Sequence, residues 1–376
     1  MKQQKLLYVA EVHLPGQKAS SIHVMRMCKA FDDKGIQVRL LAFQSPAFKD
    51  KASLLDYYGI EGDLDIKLVN APGTGRIAAF WLALMAVFQV LRFNPTIAYT
   101  RSIVSAYFMS LLARSVVFEA HTYLFQKKKG YAQLFFKKLI QKTSFLGLVV
   151  ISQALKKMYV EKGISTRNIF VAHDGADEKP LDHSGKLTGG YDFNVGYFGS
   201  VFAGRGVDVI IKMAEKMPET GFHIFGGEKN QINHNGQVPE NLMFYGFVSP
   251  SGVHQFRNAC DVLLAPYQPD VFVSAKQAFS TSSYMSPLKI FEYMSARKPI
   301  VVSDMPVLKE VLDEETAMMV PSGSSLAWVE AVNELKQNKE KRELMGDKAY
   351  LEFINFYTWK KRASLIFDWL SGRVGS

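Results

Sequence analysis

The stretch Ser286–Ser303 reads SPLKIFEYMSARKPIVVS and joins a helix start to a short apolar strand. Ser286 is a good helix N-cap, and Pro287 fits the first helical position, where its missing N–H costs nothing. The free amides of Leu288 and Lys289 and the helix dipole favour an anion. The side chain of Lys289 adds a full positive charge. The sequence therefore predicts a phosphate-binding helix start.

A carboxylate and a strand complete this pattern. Glu292 lies one helical turn after Lys289 on the same face, where its carboxylate suits two neighbouring sugar hydroxyls. Pro299–Val302 then predicts a short buried strand. A strand, an anion-binding helix start and a carboxylate suited to a ribose together predict a nucleotide ligand.

Length and composition bound the class of protein. With 376 residues, 48% of them hydrophobic and 21% charged, the chain is globular and long enough for two domains. Its net charge of +10 favours an anionic partner such as nucleic acid, a nucleotide or an acidic membrane. Cys28 and Cys260 are far apart and give neither a disulfide framework nor a metal cluster. The first apolar run, Leu6–Ala10, is too short for a signal peptide, so we expect a cytoplasmic protein.

Strand-like and helix-like runs alternate in two series, separated by a polar, glycine-rich linker at 179–191. Such alternation predicts a parallel sheet with helices on both faces in each half. The fold class is therefore α/β, with two Rossmann-like, doubly wound domains at 1–178 and 192–355 that face each other across a cleft. The last helix, at 356–376, either belongs to the core of the second half or crosses back to the first.

Two segments raise the question of a membrane. Ile77–Leu91 is almost wholly apolar but shorter than the ~20 residues of a spanning helix. It predicts either a buried or half-buried helix, or a helix that touches a bilayer surface. Lys127–Lys142 holds six lysines and no acid, and is either a solvated helix or a peripheral contact with anionic lipid. It carries no recognised nucleic-acid motif, so no nucleic-acid partner is expected.

Three strand ends carry further candidate residues. Gly16 follows the first strand and either lets the backbone approach a ligand or belongs to a plain loop. Gly199, Ser200 and Arg205 form a glycine-rich turn that suits phosphate, with a solvated arginine as the alternative. His121 closes another strand and is either a ligand contact or a structural histidine. No His-Glu-x-x-His, Gly-x-Ser-x-Gly or Walker lysine loop is present, which argues against common hydrolases and ATPases.

These residues resemble glycosyltransferase family 4. Ser286–Met294 together with Lys298–Val311 is similar to the donor-binding segment of that family, and looser matches follow in the family's order. The resemblance implies a GT-B fold and retaining transfer of a sugar from a nucleotide donor, UDP- or GDP-linked, to an acceptor hydroxyl. It also implies that neither a metal ion nor another cofactor takes part. The loose matches that support it include Gly16, Glu119–His121, Val150–Ser152, His173–Asp177, Gly199–Gly206 and Ala259–Tyr267.

The resemblance assigns roles to individual residues. It implies that Arg205 and Lys289 hold the diphosphate and that Glu292 holds the ribose. It places His121 near the transferred sugar, and the Gly16 loop beneath the diphosphate and the acceptor. The full set of implied donor-site and catalytic residues is Gly16, His121, Gly199, Ser200, Arg205, Ser286, Pro287, Leu288, Lys289 and Glu292, with Phe247 and Val248 lining the base pocket.

One residue departs from the family pattern. The first Glu of the family's Glu-x7-Glu motif falls at Tyr284, so the contact with the donor sugar is left open. The leading interpretation is a transferase in lipid-linked or cell-surface glycan assembly, peripheral on the inner face of the membrane. The alternatives are a nucleotide-sugar epimerase or phosphorylase on a similar scaffold, or a non-catalytic nucleotide-sugar-binding protein.

Overall fold

The chain forms two compact units, Met1–His173 with Trp359–Ser376, and Asp174–Thr358. The first unit therefore ends at His173 rather than at the predicted 178, and the predicted linker at 179–191 lies within the second unit. The first three lysines of the predicted basic helix, 127–129, lie outside the described residues. The computed structural model describes residues 4–126, 130–182, 184–232, 237–272 and 279–373.

The first unit contains a seven-stranded parallel sheet. Its strands are β1 (Lys5–Leu14), β2 (Gln37–Gln44), β3 (Asp65–Val69), β4 (Ile97–Thr100), β5 (Val116–Ala120), β6 (Phe145–Val150) and β7 (Ile169–Val171). Its helices are α1 (Ala19–Asp33), α2 (Lys51–Tyr58), α3 (Arg76–Phe93), α4 (Ile103–Met109), α5 (Tyr131–Leu139), α6 (Gln153–Val160) and α12 (Trp359–Ser371). The strand order is β3-β2-β1-β4-β5-β6-β7, as expected for a doubly wound sheet.

The last helix, α12, packs against α1 in the first unit. Its buried residues recur every three or four positions, which places them on one helical face. They are Trp359, Arg362, Ala363, Ile366 and Leu370. Of the two alternatives left open by the sequence, the structure has the helix that returns to the first half.

The second unit contains a six-stranded parallel sheet. With the strands numbered in chain order, the order across the sheet is β10-β9-β8-β11-β12-β13. The strands are β8 (Asn194–Phe198), β9 (Gly221–Phe225), β10 (Leu242–Phe244), β11 (Val262–Ala265), β12 (Ile300–Ser303) and β13 (Met318–Val320). The helices are α7 (Val207–Lys216), α8 (Val253–Ala259), α9 (Leu288–Ser295), α10 (Ser325–Gln337) and α11 (Lys339–Phe356). Its core includes Trp328 and the apolar side chains of β8, β9 and α7.

Each sheet has a point where its strand order reverses. In the first unit this point lies between β1 and β4, and in the second it lies between β8 and β11. Ligands of open α/β sheets bind beyond the carboxyl ends of the strands at such a point. The loops that follow β1 and β8 contain Gly16 and Gly199–Gly206, so both predicted loops lie at the expected positions.

The apolar segment predicted at Ile77–Leu91 forms helix α3. By length and composition alone this helix is long and apolar enough to cross a membrane, and 39% of its residues are buried. It is therefore a half-buried helix that packs on β1, β2 and α4.

Candidate active site

Helix α9 begins at Leu288, one residue later than its sequence predicts, and its cap also differs from the prediction. Pro287 occupies the N-cap position, and no side chain caps the helix. The hydroxyl of Ser286 instead accepts a hydrogen bond from the amide of Asp174, at 2.9 Å. The prediction that Ser286 caps the helix is therefore wrong, because that oxygen is used by another loop of the same unit. Leu288 and Lys289 remain in the first turn, where amides have no partner within the helix.

A buried tyrosine fixes α9 at the point where the second sheet reverses. The hydroxyl of Tyr293 accepts from the amide of Phe198 at 2.8 Å and donates to the carbonyl of Leu264 at 3.1 Å. These two residues belong to β8 and β11, so one hydroxyl ties the helix to both strands. This role of Tyr293 was not predicted from the sequence, although a tyrosine on the apolar face of a helix indicates a hydroxyl that needs a partner.

Lys289 carries an ammonium group into the interior of the second unit. The residue is 9% exposed, and its Nζ has no hydrogen-bond partner among the residues that the structure describes. The Nζ lies 3.9 Å from the centroid of the Tyr197 ring and 5.0 Å from that of Tyr267. Burial, followed by the charge of Arg205, lowers the pKa of Lys289 well below its usual value, and Glu292 acts in the opposite direction. A buried cation of this kind is stabilised by an anion.

Gly199 and Arg205 lie in the loop after β8. Gly199 has a φ of 150°, and a Cβ at this position would lie 2.9 Å from Nζ of Lys289. A glycine is therefore needed for the lysine to occupy its place. Arg205 donates from Nη2 to the carbonyl of Phe272 at 3.2 Å, while its Nε is buried without a partner in the described part of the chain. The carbonyl of Ser200 accepts a hydrogen bond from Tyr197 at 2.6 Å, which holds the ring beside the lysine.

The unused donors of Arg205 and Lys289 give this site its chemistry. Two cations lie close enough for the charge of Arg205 to lower the pKa of Lys289. Each has a buried nitrogen that makes no hydrogen bond within the described residues. Because buried polar groups are normally satisfied, both nitrogens indicate an anionic ligand with several acceptor oxygens.

Glu292 has a cationic partner that the sequence analysis missed. Its Oε2 accepts from Nη1 of Arg257 at 3.1 Å, and Arg257 is 6% exposed in α8. The guanidinium group also lies 5.8 Å from the Phe198 ring centroid. The ion pair fixes the carboxylate in one orientation. No local pattern reveals this pairing, because the two residues come from separate helices.

Stacked aromatic rings extend from the same strand ends. Phe198 stacks on Phe225 with centroids 4.6 Å apart, and Phe225 stacks on Tyr245 at 4.2 Å. Phe247 and Val248 follow in the loop after β10, where Phe247 is 45% exposed. The loop thus adds an exposed ring beyond a stacked series, which is suited to a flat ligand group.

Tyr284, which stands where the family has a glutamate, is 1% exposed. Its ring lies in the interior of the second unit and offers no surface to a ligand. The residue is therefore a packing residue at this position.

In the first unit, the Gly16 loop is held by side chains from α1 and α2. The amide of Gly16 donates to the Tyr58 hydroxyl at 2.8 Å, and its carbonyl accepts from the Ser21 hydroxyl at 2.6 Å. A Cβ on Gly16 would lie 2.6 Å from the carbonyl oxygen of His13, so no other residue fits without movement of the backbone. The loop is therefore compact and preorganised.

His121 belongs to a buried cluster around Glu119, at the end of β5. Oε1 of Glu119 lies 2.8 Å from Nε2 of His121, 2.7 Å from Nη2 of Arg362 and 3.1 Å from Nε2 of His23. Burial alone raises the pKa of Glu119, but Arg362 and the two histidines outweigh it and hold that pKa well below its usual value. The cluster therefore contains an ionised carboxylate.

The protonation state of His121 follows from this network. Burial, followed by the charge of Arg101, lowers the pKa of His121 to about 4, with Glu119 acting in the opposite direction. The imidazole is therefore neutral at pH 7. Because the carboxylate of Glu119 can only accept, Nε2 of His121 carries the proton and Nδ1 is the acceptor.

The same cluster contains three side chains that are potential metal ligands. Ligand atoms of His23, Glu119 and His121 lie within 4.8 Å of one another. Arg362, however, places a guanidinium group 2.7 Å from the carboxylate oxygen that a cation needs. The charge of this arginine opposes a second cation, so the donor set fits a hydrogen-bond network better than a metal ion.

Comparison with known proteins gives the class. Residues 192–338 match the family described as glycosyl transferases group 1, and residues 20–179 match Glycosyltransferase Family 4. Two Rossmann-like units with a cationic site at the second switch point define a protein of the GT-B type. The two matches together cover most of the chain, and both describe glycosyltransferases.

Individual relatives are more distant. An alpha-galactosylglucosyldiacylglycerol synthase of Streptococcus pneumoniae is 27% identical over 124 residues, which span 31% of this chain and 29% of that protein. The HepE protein of Anabaena, in a complex with UDP and glucose, has a TM-score of 0.74 at 17% identity, covering 98% of this chain and 100% of that one. A glycosyltransferase of Rickettsia africae has a TM-score of 0.75 at 13% identity and full coverage of both chains. These two structures show the fold.

Proposed function

We propose that this chain is a retaining, metal-independent glycosyltransferase that moves a sugar from a UDP- or GDP-linked donor to an acceptor hydroxyl. The observation that carries the proposal is the buried ammonium of Lys289, which lies near Arg205 at the start of α9 with no hydrogen-bond partner among the described residues. A diphosphate supplies the negative charge and the acceptor oxygens that these groups require. The bound UDP of the HepE structure, which shares the fold, is consistent with a donor of this class.

The two cations act on the leaving group. As the bond between the anomeric carbon and the phosphate oxygen breaks, negative charge develops on the diphosphate. Lys289, Arg205 and the first amides of α9 stabilise that charge and lower the barrier. The acceptor hydroxyl attacks the anomeric carbon on the same face from which the leaving group departs. The proton of that hydroxyl passes to the released phosphate oxygen. No protein base is required for this step.

Other residues position the donor. Glu292, held by Arg257, accepts hydrogen bonds from the ribose hydroxyls. The exposed ring of Phe247 and the neighbouring Val248 contact the base. In the first unit, the neutral imidazole of His121 accepts a hydrogen bond from a hydroxyl of the transferred sugar through Nδ1.

The acceptor is a lipid-linked or cell-surface glycan at the cytoplasmic face of a membrane. The basic segment Lys127–Lys142 supports an anionic membrane partner, and in its described part Lys137 and Lys138 are exposed. The name of the pneumococcal relative, a diacylglycerol glycolipid synthase, is in keeping with a lipid acceptor.

A thermal-shift screen against nucleotide sugars tests donor binding, because a ligand of the native state raises the melting temperature by mass action. We expect one donor to raise it in the wild type and not in Lys289→Met. Lys339→Met, which changes an exposed lysine of the same unit, is the matched control and should retain the shift. An unchanged response in Lys289→Met would remove the assigned diphosphate site.

Turnover separates transfer from the alternatives. The donor found in the screen is incubated alone, with inorganic phosphate, and with a panel of glycolipid acceptors. Transfer predicts product only with an acceptor, and with the anomeric configuration retained. Conversion of the donor alone identifies an epimerase, a requirement for phosphate identifies a phosphorylase, and binding without any product identifies a sensor.

A further inference from the structure

A surface helix normally buries its large apolar side chains. Helix α3 instead buries mainly small side chains and exposes most of its large apolar ones. Four of its seven buried residues are alanines, which pack on the sheet and on α4. The large apolar side chains point outward instead, at positions that follow the helical repeat. Their exposed fractions are 65% for Ile77, 42% for Phe80, 37% for Trp81, 56% for Leu84, 51% for Phe88 and 67% for Leu91. We call these six residues the outer face of α3.

The apolar surface continues onto α5. The ring of Phe80 lies 5.8 Å from that of Phe135, and the guanidinium of Arg76 lies 5.1 Å from the Tyr131 ring. Leu134, one turn along α5, is 54% exposed. A contiguous apolar surface of this kind is unusual in a soluble monomer and marks an interaction site.

The segment of sequence that carries this surface has a strongly one-sided charge. Residues 66–160 contain thirteen lysines and arginines and a single acid, Glu119. That carboxylate is buried and paired with Arg362, so it does not offset the surface charge. The rest of the chain has 32 basic and 34 acidic residues. The positive excess of the protein therefore lies entirely in the segment that carries the outer face of α3.

We propose that the outer face of α3 is a docking surface for an anionic lipid bilayer, in which the helix lies parallel to the membrane plane. Its apolar side chains enter the boundary between headgroups and acyl chains, and nearby basic residues such as Arg76, Arg92 and Lys138 contact the lipid phosphates. Its seven buried residues hold the helix to the sheet, so it lies on the bilayer and does not span it. The inference deepens the proposed function, since it rests on a lipid-linked acceptor, but vesicle binding needs no donor.

Flotation of the full chain with lipid vesicles tests the surface. We expect binding to vesicles of phosphatidylcholine with phosphatidylglycerol, little binding to phosphatidylcholine alone, and weaker binding at high salt. The triple variant Leu84→Gln, Phe88→Gln, Leu91→Gln should reduce partitioning by roughly tenfold or more, because it removes the apolar part of the contact. The matched control is Leu326→Gln, Leu344→Gln, Leu351→Gln, which changes equally exposed leucines of the second unit and should bind as the wild type does.

Trp81 offers a direct readout of insertion. Vesicles that contain brominated lipid should quench tryptophan fluorescence in the wild type, and the Trp81→Phe variant should lose this quenching. Equal flotation of the triple variant and the wild type would overturn the proposal, as would a concentration-dependent dimer that the triple variant abolishes without any vesicle binding.

The thermal shift with a nucleotide sugar is measured on the wild type and on the same variants. In the wild type, a missing donor shift with normal flotation counts against the proposed function alone, whereas missing flotation with a normal donor shift counts against the docking surface alone. In the triple variant, loss of flotation with a normal donor shift is the expected result.

Discussion

Lys289 couples donor binding to the uptake of a proton. In the free protein its pKa lies well below the usual value because the ammonium is buried near Arg205. A bound diphosphate favours the charged form and raises that pKa again. At pH values between the pKa of Lys289 in the free protein and its pKa in the complex, donor binding therefore takes up a proton. In this range the affinity for the donor falls by at most about tenfold for each unit of rise in pH. Below the free pKa the lysine is already charged, and the dependence disappears.

Calorimetry in buffers of different ionisation enthalpy measures this uptake. Lys289→Arg should bind the donor without taking up a proton, because arginine stays charged. Lys289→Met should bind weakly and also without uptake. Proton uptake that persists in either variant would assign the coupling to another group.

Gly199→Ala should reduce kcat/KM by roughly tenfold or more, while the protein remains folded. The new Cβ would lie 2.9 Å from Nζ of Lys289 and displace the ammonium from its place. Gly190→Ala is the matched control, since Gly190 also has a positive φ, of 68°, but no atom within 4 Å of the added carbon. Both variants carry backbone strain of about 1–3 kcal/mol from a positive φ, and only the first should lose activity. Equal activity losses would show that strain, and not displacement of the lysine, is responsible.

At the scale of elements, α12 contributes a charge that the first sheet requires. Arg362 is 2% exposed and pairs with Glu119, which is 1% exposed. Removal of one partner of a buried ion pair leaves the other uncompensated and costs about 3–5 kcal/mol. Arg362→Met should therefore lower the free energy of unfolding by that order, measured by urea denaturation. Lys360→Met, at an exposed position of the same helix, should have little effect.

The pH dependence of this loss has a defined sign. The pKa of Glu119 in the folded wild type is depressed, so its stabilising contribution is present above the unfolded pKa and is lost as pH falls. In Arg362→Met the carboxyl group can take up a proton more readily. The stabilities of the two proteins should therefore converge as the pH is lowered below about 4.5, the ordinary pKa of a glutamate. A constant difference across this range would contradict the assignment.

The local elements were predictable, whereas the contacts between them were not. The Ser-Pro-Leu-Lys pattern predicted the start of α9 to within one residue, because helix starts depend on adjacent residues. The ion pair of Glu292 with Arg257 and the bridge through Tyr293 were missed, since each joins elements that are distant in sequence. Strand β3 was also missed. It is an edge strand of mixed polarity, stabilised in part by the contact of Asp65 with Arg39 at 2.7 Å. The prediction that Ser286 caps α9 was wrong for the same reason, because its hydrogen-bond partner Asp174 is distant in sequence.

At the scale of the whole molecule, the donor should stabilise the two units unequally. The proposed diphosphate and base contacts come from the second unit, around Gly199–Arg205 and Ser286–Glu292. Hydrogen exchange with saturating UDP should slow most in these segments. At one hundred times the dissociation constant, the gain in native-state stability is about 2.7 kcal/mol. The Lys289→Met variant should show little added protection, and protection confined to the first unit would contradict the assigned site.

The return of α12 to the first unit also imposes an order on biosynthesis. Residues 359–371 are translated after the whole of the second unit, yet they supply the guanidinium that neutralises Glu119 and the side chains that cover α1. A nascent chain on the ribosome therefore holds an incomplete N-terminal half until its final helix emerges. We expect chains that stop before Trp359 to be substrates for chaperones and proteases, however well their second half folds.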